Sequence, residues 1–126
     1  MANGLSVEGE HAEVPTAVRL AHDDVVTCAL DDRVAEVRAR VDDSPYGFAL
    51  VVTSSRVVLG RLRPSTLRDA AGDEVAEAVM EAGPSTVRAD LTSKELAERL
   101  AKRNLKYAIV TTPAGRLLGV VRADEL

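Results

Sequence analysis

The chain has one cysteine (Cys28), no tryptophan, only three other aromatic residues (Tyr46, Phe48 and Tyr107) and no surplus of positive charge. Each shortage excludes something. A single thiol can neither close an intramolecular disulfide nor furnish a multi-cysteine zinc site. Three aromatics are too few for a platform on which nucleic-acid bases stack. Lys+Arg 16 against Asp+Glu 20 leaves a net charge of −4, whereas nucleic-acid binding relies on a basic face that displaces counterions from phosphates. No nucleic-acid partner is expected. Nor is there a run of the ~20 apolar residues that a membrane-spanning helix needs, so no membrane partner is expected either. Residues 1–13 hold Glu8, Glu10 and Glu13 but no Lys or Arg and no apolar stretch, which is not a secretory leader. They read as a disordered tail, and the expected setting is cytoplasmic.

What is present is 126 residues, 46% hydrophobic and 29% charged, enough for one compact domain or two small halves sharing a core. The informative feature is repetition. With Gly60 laid over Gly119, an offset of 59 residues, positions 16–67 pair with 75–126 without a gap. Identities include Thr27/Thr86, Asp31/Asp90, Glu36/Glu95, Arg40/Arg99, Ala49/Ala108, Val51/Val110, Gly60/Gly119 and Arg63/Arg122. Apolar positions agree as well, at Val37/Leu96, Phe48/Tyr107, Leu50/Ile109 and Val58/Leu117. A register that survives both turns and helices points to tandem duplication.

In the second copy a short strand begins at Val87, and Thr92-Ser93-Lys94-Glu95 has the form of a capping box. Leu96 and Leu100, flanked by Ala97 and Ala101, make one apolar stripe at helical spacing. Asn104 is suited to the left-handed conformation that ends a helix. Tyr107–Thr111 reads as a strand covered on both faces, Thr112–Gly115 as a turn and Leu117–Val121 as its antiparallel return. The first copy reads likewise: a strand near Val25–Cys28, a helix from about Arg33 to Val41 capped by Asp31 or Asp32, and a hairpin of Phe48–Thr53 and Val57–Leu62. Pro64 is suited to a helix start, and residues 66–81 read as a helix interrupted at Gly72 and closed by Gly83-Pro84. Each unit is thus strand–helix–strand–strand–helix. The second copy stops at Leu126, where its last helix is due. Residues 16–21 align with 75–80, the first copy's closing helix, so the N-terminal segment is expected to cross over and complete the second unit.

Val79-Met80 followed by Gly83-Pro84-Ser85-Thr86-Val87 resembles the opening of a CBS domain, and Gly119-Val120-Val121 with Asp124-Glu125-Leu126 its closing motif. The resemblance implies an α/β (α+β) fold of two CBS-type β-α-β-β-α repeats related by a pseudo-twofold axis, a Bateman module, with repeat 1 at 14–72 and repeat 2 at 73–126. It further implies a regulatory module, not an enzyme, that binds AMP, ADP, ATP or S-adenosylmethionine between the repeats, with or without Mg²⁺. A homodimer acting on an unidentified effector protein is the implied assembly. In the family's exit motif a Ser/Thr hydroxyl contacts phosphate and an Asp grips the ribose diol. This sequence departs from that pattern, with Arg63 and Thr66 in the first copy and Arg122 and Glu125 in the second, beside Asp124. Planar guanidinium forks suit phosphate, and Glu125 keeps a diol acceptor where Thr66 does not, so the resemblance favours the second cleft if only one binds. The remaining ligand-binding candidates are Ser85, Thr86, Val87, Lys106, Tyr107 and Ala108 in the second copy and Val26, Thr27, Gly47 and Phe48 in the first.

Other chemistries have thinner support. Cys28 and His22 are the sole nucleophile–base pair, but Cys28 aligns with Val87 at an apolar strand position. The acidic pairs Asp23-Asp24, Asp31-Asp32 and Asp42-Asp43 suggest a divalent-metal sensor, yet also serve as helix punctuation. A third class is a dimerisation or protein-interaction module whose clefts bind nothing.

Overall fold

The computed structural model describes residues 15–126, so the tail expected at residues 1–13 lies outside the described residues. Two sheets carry the architecture. The first has the order β1 (Val26–Cys28), β2 (Ala49–Val52), β3 (Val58–Leu62) and β4 (Glu81–Ala82); the second has β5 (Thr86–Arg88), β6 (Tyr107–Thr111) and β7 (Leu117–Arg122). In both, the leading strand is parallel to the next, and that strand is antiparallel to the third. The parallel connections are made by α2 (Val34–Val41) and α5 (Ser93–Arg103), since a parallel pair needs a crossover rather than a tight turn.

The duplication is legible bond by bond. Val34 N donates to Glu74 O at 2.9 Å, and 59 residues on Ser93 N donates to Pro15 O at 3.0 Å. Ala76 N donates to Asp32 O at 2.8 Å as Ala17 N does to Leu91 O at 2.7 Å. The segment 15–23, which contains α1 (Ala17–Leu20), therefore lies on the second unit as α4 (Ala76–Val79) and β4 lie on the first. Ala17 is fully buried in the second core, and His22 bridges to Val120 of β7 as Glu81 does to Arg61 of β3. The crossover expected from the alignment is present.

Two helix-side cores and one seam account for the burial. Val34, Val37, Ala49, Val51 and Leu62 belong to the first core; Leu96, Leu100, Ala108, Val110 and Val121 to the second. Strand alternation sends the intervening side chains the other way, so Leu50, Phe48, Ile109, Leu117 and Val120 meet in a third cluster between the sheets. At its rim the hairpins are joined across the pseudo-twofold axis, with Val58 N on Gly115 O (3.0 Å) and Leu117 N on Arg56 O (2.8 Å). Arg56 (φ 68°) and Gly115 (φ 87°) are equivalent turn positions.

Two local expectations are corrected. Neither Asp31 nor Asp32 caps α2, whose N-cap is Arg33 without a side-chain bond. Its first amides are satisfied by backbone carbonyls of Gly72 and Glu74, while Asp32 Oδ2 accepts from Ala29 N. Residues 66–81 are not one interrupted helix but α3 (Pro64–Asp69), a connection, α4 and then strand β4. Gly72 lies against Ala35 of α2, where a Cβ would stand 3.1 Å from its methyl. Glu81–Ala82 is a strand because Gly60, which it faces in β3, presents no side chain. The second copy follows the sequence: Thr92 and Glu95 form the reciprocal capping box and Asn104 is left-handed at φ 54°.

Candidate functional site: two unequal clefts between the repeats

Each cleft is built from the exit of one unit's third strand and the start of the other unit's leading strand. This divides the candidate residues. Arg63 shares the first cleft with Ser85, whereas Arg122, Asp124 and Glu125 border the second, near Tyr46 and Asp24. Phe48 and Tyr107 stand between them. The chain's three aromatic rings meet here, with centroids 5.9 Å (Tyr46–Phe48), 5.9 Å (Tyr46–Tyr107) and 5.0 Å (Phe48–Tyr107) apart in tilted or edge-on contacts.

The first cleft is open. A cavity of about 310 Å³ is bounded by Phe48, Arg61, Arg63, Glu81, Ser85 and Tyr107. It continues past Arg61 and Arg63 into a groove with Pro64, Ser65, Arg68 and Lys106. Arg103 and Leu105 form its far wall. A protein of net charge −4 thus gathers five cations, Arg61, Arg63, Arg68, Arg103 and Lys106, along one cleft.

Glu81 holds two of them. Its Oε1 accepts from Arg61 Nε (3.0 Å), Arg61 Nη2 (2.7 Å) and Arg63 Nε (3.1 Å), and its Oε2 from Arg63 Nη2 (2.8 Å). The hydrogen bonds from Arg63, then those from Arg61, hold the Glu81 carboxyl down to about 2, against an ordinary value of ~4.3. A depressed carboxylate stabilises the fold fully above its unfolded pKa and loses that contribution as pH falls through the folded one. Unfolding free energy measured from pH 6 to 2 is therefore expected to fall by less in Glu81→Gln than in the wild type, with the difference arising below about pH 4.5. Parallel curves for the two proteins would show that the trio adds nothing to stability.

The second cleft is filled from within. Where the first has Leu105 and Gly83, the second has Tyr46 and Asp24, and the Tyr46 hydroxyl donates to Asp24 Oδ1 at 2.7 Å. Burial and that hydrogen bond raise the Tyr46 phenol above its usual pKa. The Tyr107 hydroxyl donates to Tyr46 O at 3.2 Å. Val120 stands where the first cleft has Arg61, and His22 where it has Glu81. Glu125, the retained diol acceptor, lies 3.0 Å from His22 Nε2, and Arg122 donates to Asp124 at 2.8 Å. A hollow of about 330 Å³ persists beside Lys106, Tyr107, Arg122, Ala123 and Asp124.

Other candidates point elsewhere. Val87 and Ala108 are buried in the second helix-side core and Val26 packs on the first. Thr27 O accepts from Arg40 Nη1, and Thr66 lies in α3 with its carbonyl bonded to Ala70 N. Thr86 is exposed on β5. Gly47 (φ 75°) borders a separate groove with Arg38, Pro64 and Arg68. Cys28 is buried, and that burial, with Asp32 second, pushes its thiol up to about 11, so it stays protonated and unreactive. Asp24 and Asp32 are already engaged, and among the described residues no group of three or more His, Cys, Asp or Glu is placed to hold a metal ion. No described helix is long and apolar enough to cross a membrane.

Sequence reasoning missed Arg61, Glu81 and Tyr46. Their signal was a mismatch in the alignment, Arg61 against Val120, Glu81 against His22 and Tyr46 against Leu105.

Residues 75–126 match the family model of the CBS domain. No curated protein matches the chain. Among solved structures, the soluble part of a magnesium transporter superposes with a TM-score of 0.81 at 18% identity, over 96% of this chain and 52% of that one. The cytosolic domain of the Mg²⁺ channel MgtE in complex with ATP gives 0.78 at 24% identity, over 88% and 47%. The CBS domains of a transcriptional regulator from Streptococcus pneumoniae give 0.78 at 17%, over 89% and 96%. This chain spans about half the length of the first two.

Proposed function

We propose, from the premise that the chain folds as a CBS domain pair, that it is a regulatory module which binds an adenine nucleotide in its first cleft. The observation that carries this is the cavity beside Tyr107 and Ser85, lined by Arg61, Arg63 and Arg103, with Arg68 and Lys106 along the adjoining groove. Aromatic and apolar walls suit a base, and arginine forks suit phosphate oxygens. Known structures of this fold hold ATP, or 5′-methylthioadenosine and S-adenosyl-L-methionine, which supports the ligand class. Occupancy acts on an effector protein, or on a second copy of the chain, to the extent that the ligand favours one arrangement of the two halves over another.

Thermal unfolding of the purified chain with AMP, ADP, ATP and S-adenosylmethionine, each with and without Mg²⁺, tests the reading. A saturable rise is expected, equivalent to ~2.7 kcal/mol at a hundred times the dissociation constant. Arg63→Ala is expected to weaken ATP more than adenosine, with Arg122→Ala nearly silent. The reverse order would move the site to the second cleft. No rise at millimolar ligand would favour an interaction module, a reading helped by Thr66 in place of the ribose acid and by Tyr46 filling the second cleft.

A further inference from the structure

The geometry points to Glu81 as a built-in counter-anion: it occupies the seat of a ligand's di- or triphosphate group on Arg61 and Arg63, and that group binds by displacing it. The inference rests on the nucleotide reading for the ligand's other end, and on the trio itself for this one. Four N–H groups from two guanidiniums converge on a single carboxylate. Oε1 accepts three of them and Oε2 one. A terminal phosphate offers three oxygens and about two negative charges, so it matches two forks better than a carboxylate does.

The local charge agrees. Two arginines against one glutamate leave an excess cation, and among the described residues neither Arg103 nor Lys106 of the same cleft pairs with a carboxylate. Arg68 pairs with Asp69, both being largely exposed, where such pairs hold weakly. The side chains of Arg61, Arg63 and Glu81 are 26%, 53% and 39% exposed, so an anion reaches them from solvent. The equivalent place in the second cleft has Val120 and His22, leaving Arg122 to its neighbour Asp124. The arrangement therefore belongs to the first cleft and not to the fold as such.

A consequence is selectivity. A neutral nucleoside gains nothing by displacing Glu81, and a sulfonium nucleoside brings positive charge to a positive cleft. Polyphosphate alone trades one anion for a better one. Glu81 then sets a threshold that weak or singly charged anions do not cross.

Calorimetric titration of the full chain with ATP, adenosine, S-adenosylmethionine and inorganic tripolyphosphate tests this on the wild type, Glu81→Gln, Glu81→Asp and Arg63→Ala. Glu81→Gln is expected to bind ATP and tripolyphosphate about tenfold more tightly, with adenosine changed less than about twofold. Glu81→Asp, which keeps the charge but shortens the reach, guards against a misfolded Gln variant and is expected to give a smaller gain in the same direction. Arg63→Ala is expected to lose most of the preference for ATP over adenosine. An equal change for ATP and adenosine, a loss of ATP affinity in Glu81→Gln, or wild-type preference for S-adenosylmethionine overturns the inference. If adenosine binds all variants alike and ATP never gains, Glu81 is no competitor while the nucleotide reading stands. If tripolyphosphate gains but no adenosine-containing ligand binds, the anion seat stands and the nucleotide reading falls. If none of the four binds any variant, both fall.

Discussion

Gly119→Val is expected to destabilise the fold by about 3 kcal/mol or more, the upper range for overpacking, and to lower the melting temperature by roughly 10 °C, at about 3–5 °C per kcal/mol for a domain of this size. Gly119 has φ 155°, and a Cβ there would stand 2.6 Å from the carbonyl oxygen of His22 and 2.8 Å from the Cβ of Ala21. The first is backbone. The same carbonyl accepts from Val120 N at 2.8 Å, and His22 N donates back to Val120 O at 2.9 Å. The segment cannot retreat without giving up both bonds and uncovering Ala17. Gly60, the equivalent residue, is a control built into the molecule. A Cβ there would meet chiefly the Met80 side chain, with Glu81 O at 3.0 Å, and a thioether is able to swing aside. Gly60→Ala should therefore cost less than Gly119→Ala. Equal losses, or a Gly119→Val protein that melts within a degree or two of the wild type, would show that the N-terminal segment is not held where it is described.

The second large effect lies at the seam. Leu50→Ala is expected to cost about 2–5 kcal/mol, the sum of lost transfer energy and the cavity left behind. Leu50 is fully buried, on a strand whose neighbours Ala49 and Val51 face the first helix-side core while Leu50 itself faces Ile109, Leu117 and Val120. A void there loosens one half from the other rather than either half within itself. Chemical denaturation followed by both far-ultraviolet circular dichroism and tyrosine fluorescence checks this, because Tyr46 and Tyr107 report on the seam. Leu105→Ala, at a side chain left 43% exposed, is expected to stay within about 0.5 kcal/mol. A Leu50→Ala loss no larger than that would mean the sheets do not close on each other as described.

The fold was legible because its signals are local or repeated. The capping box at Thr92 and Glu95, the left-handed Asn104 and the Pro64 helix start each act within one turn of chain. The constant offset through both hairpins revealed the duplication, and through it the crossing of residues 15–23. Long-range events were not legible. The α2 amides find their carbonyls about forty residues away, in Gly72 and Glu74, so an aspartate at the right spacing looked like a cap.

The site was legible in kind but not in place. An alignment of the copies compares like with like within each unit, and cannot show that Arg63 faces Ser85 while Arg122 lies toward Asp24. The positions where the copies disagree held the missing signal. Arg61 for Val120 and Gly83 for Asp24 separate an open, cationic cleft from one occupied by Tyr46.

The crossing of the N-terminal segment also imposes an order in time. As the chain leaves the ribosome, β1 to β4 are all available once residue 82 has emerged, and the first sheet can close on local partners. Residues 15–23, though made before either sheet, have their hydrogen-bonding partners at Ala89, Leu91 and Val120 and must wait until β7 has emerged. Such late, long-range docking is slow, because loop closure must come before any contact rewards it. The earliest stretch of described sequence is thus the last to be seated, and until it is, the Gly119 edge of the second sheet lies bare to any other strand in the cell.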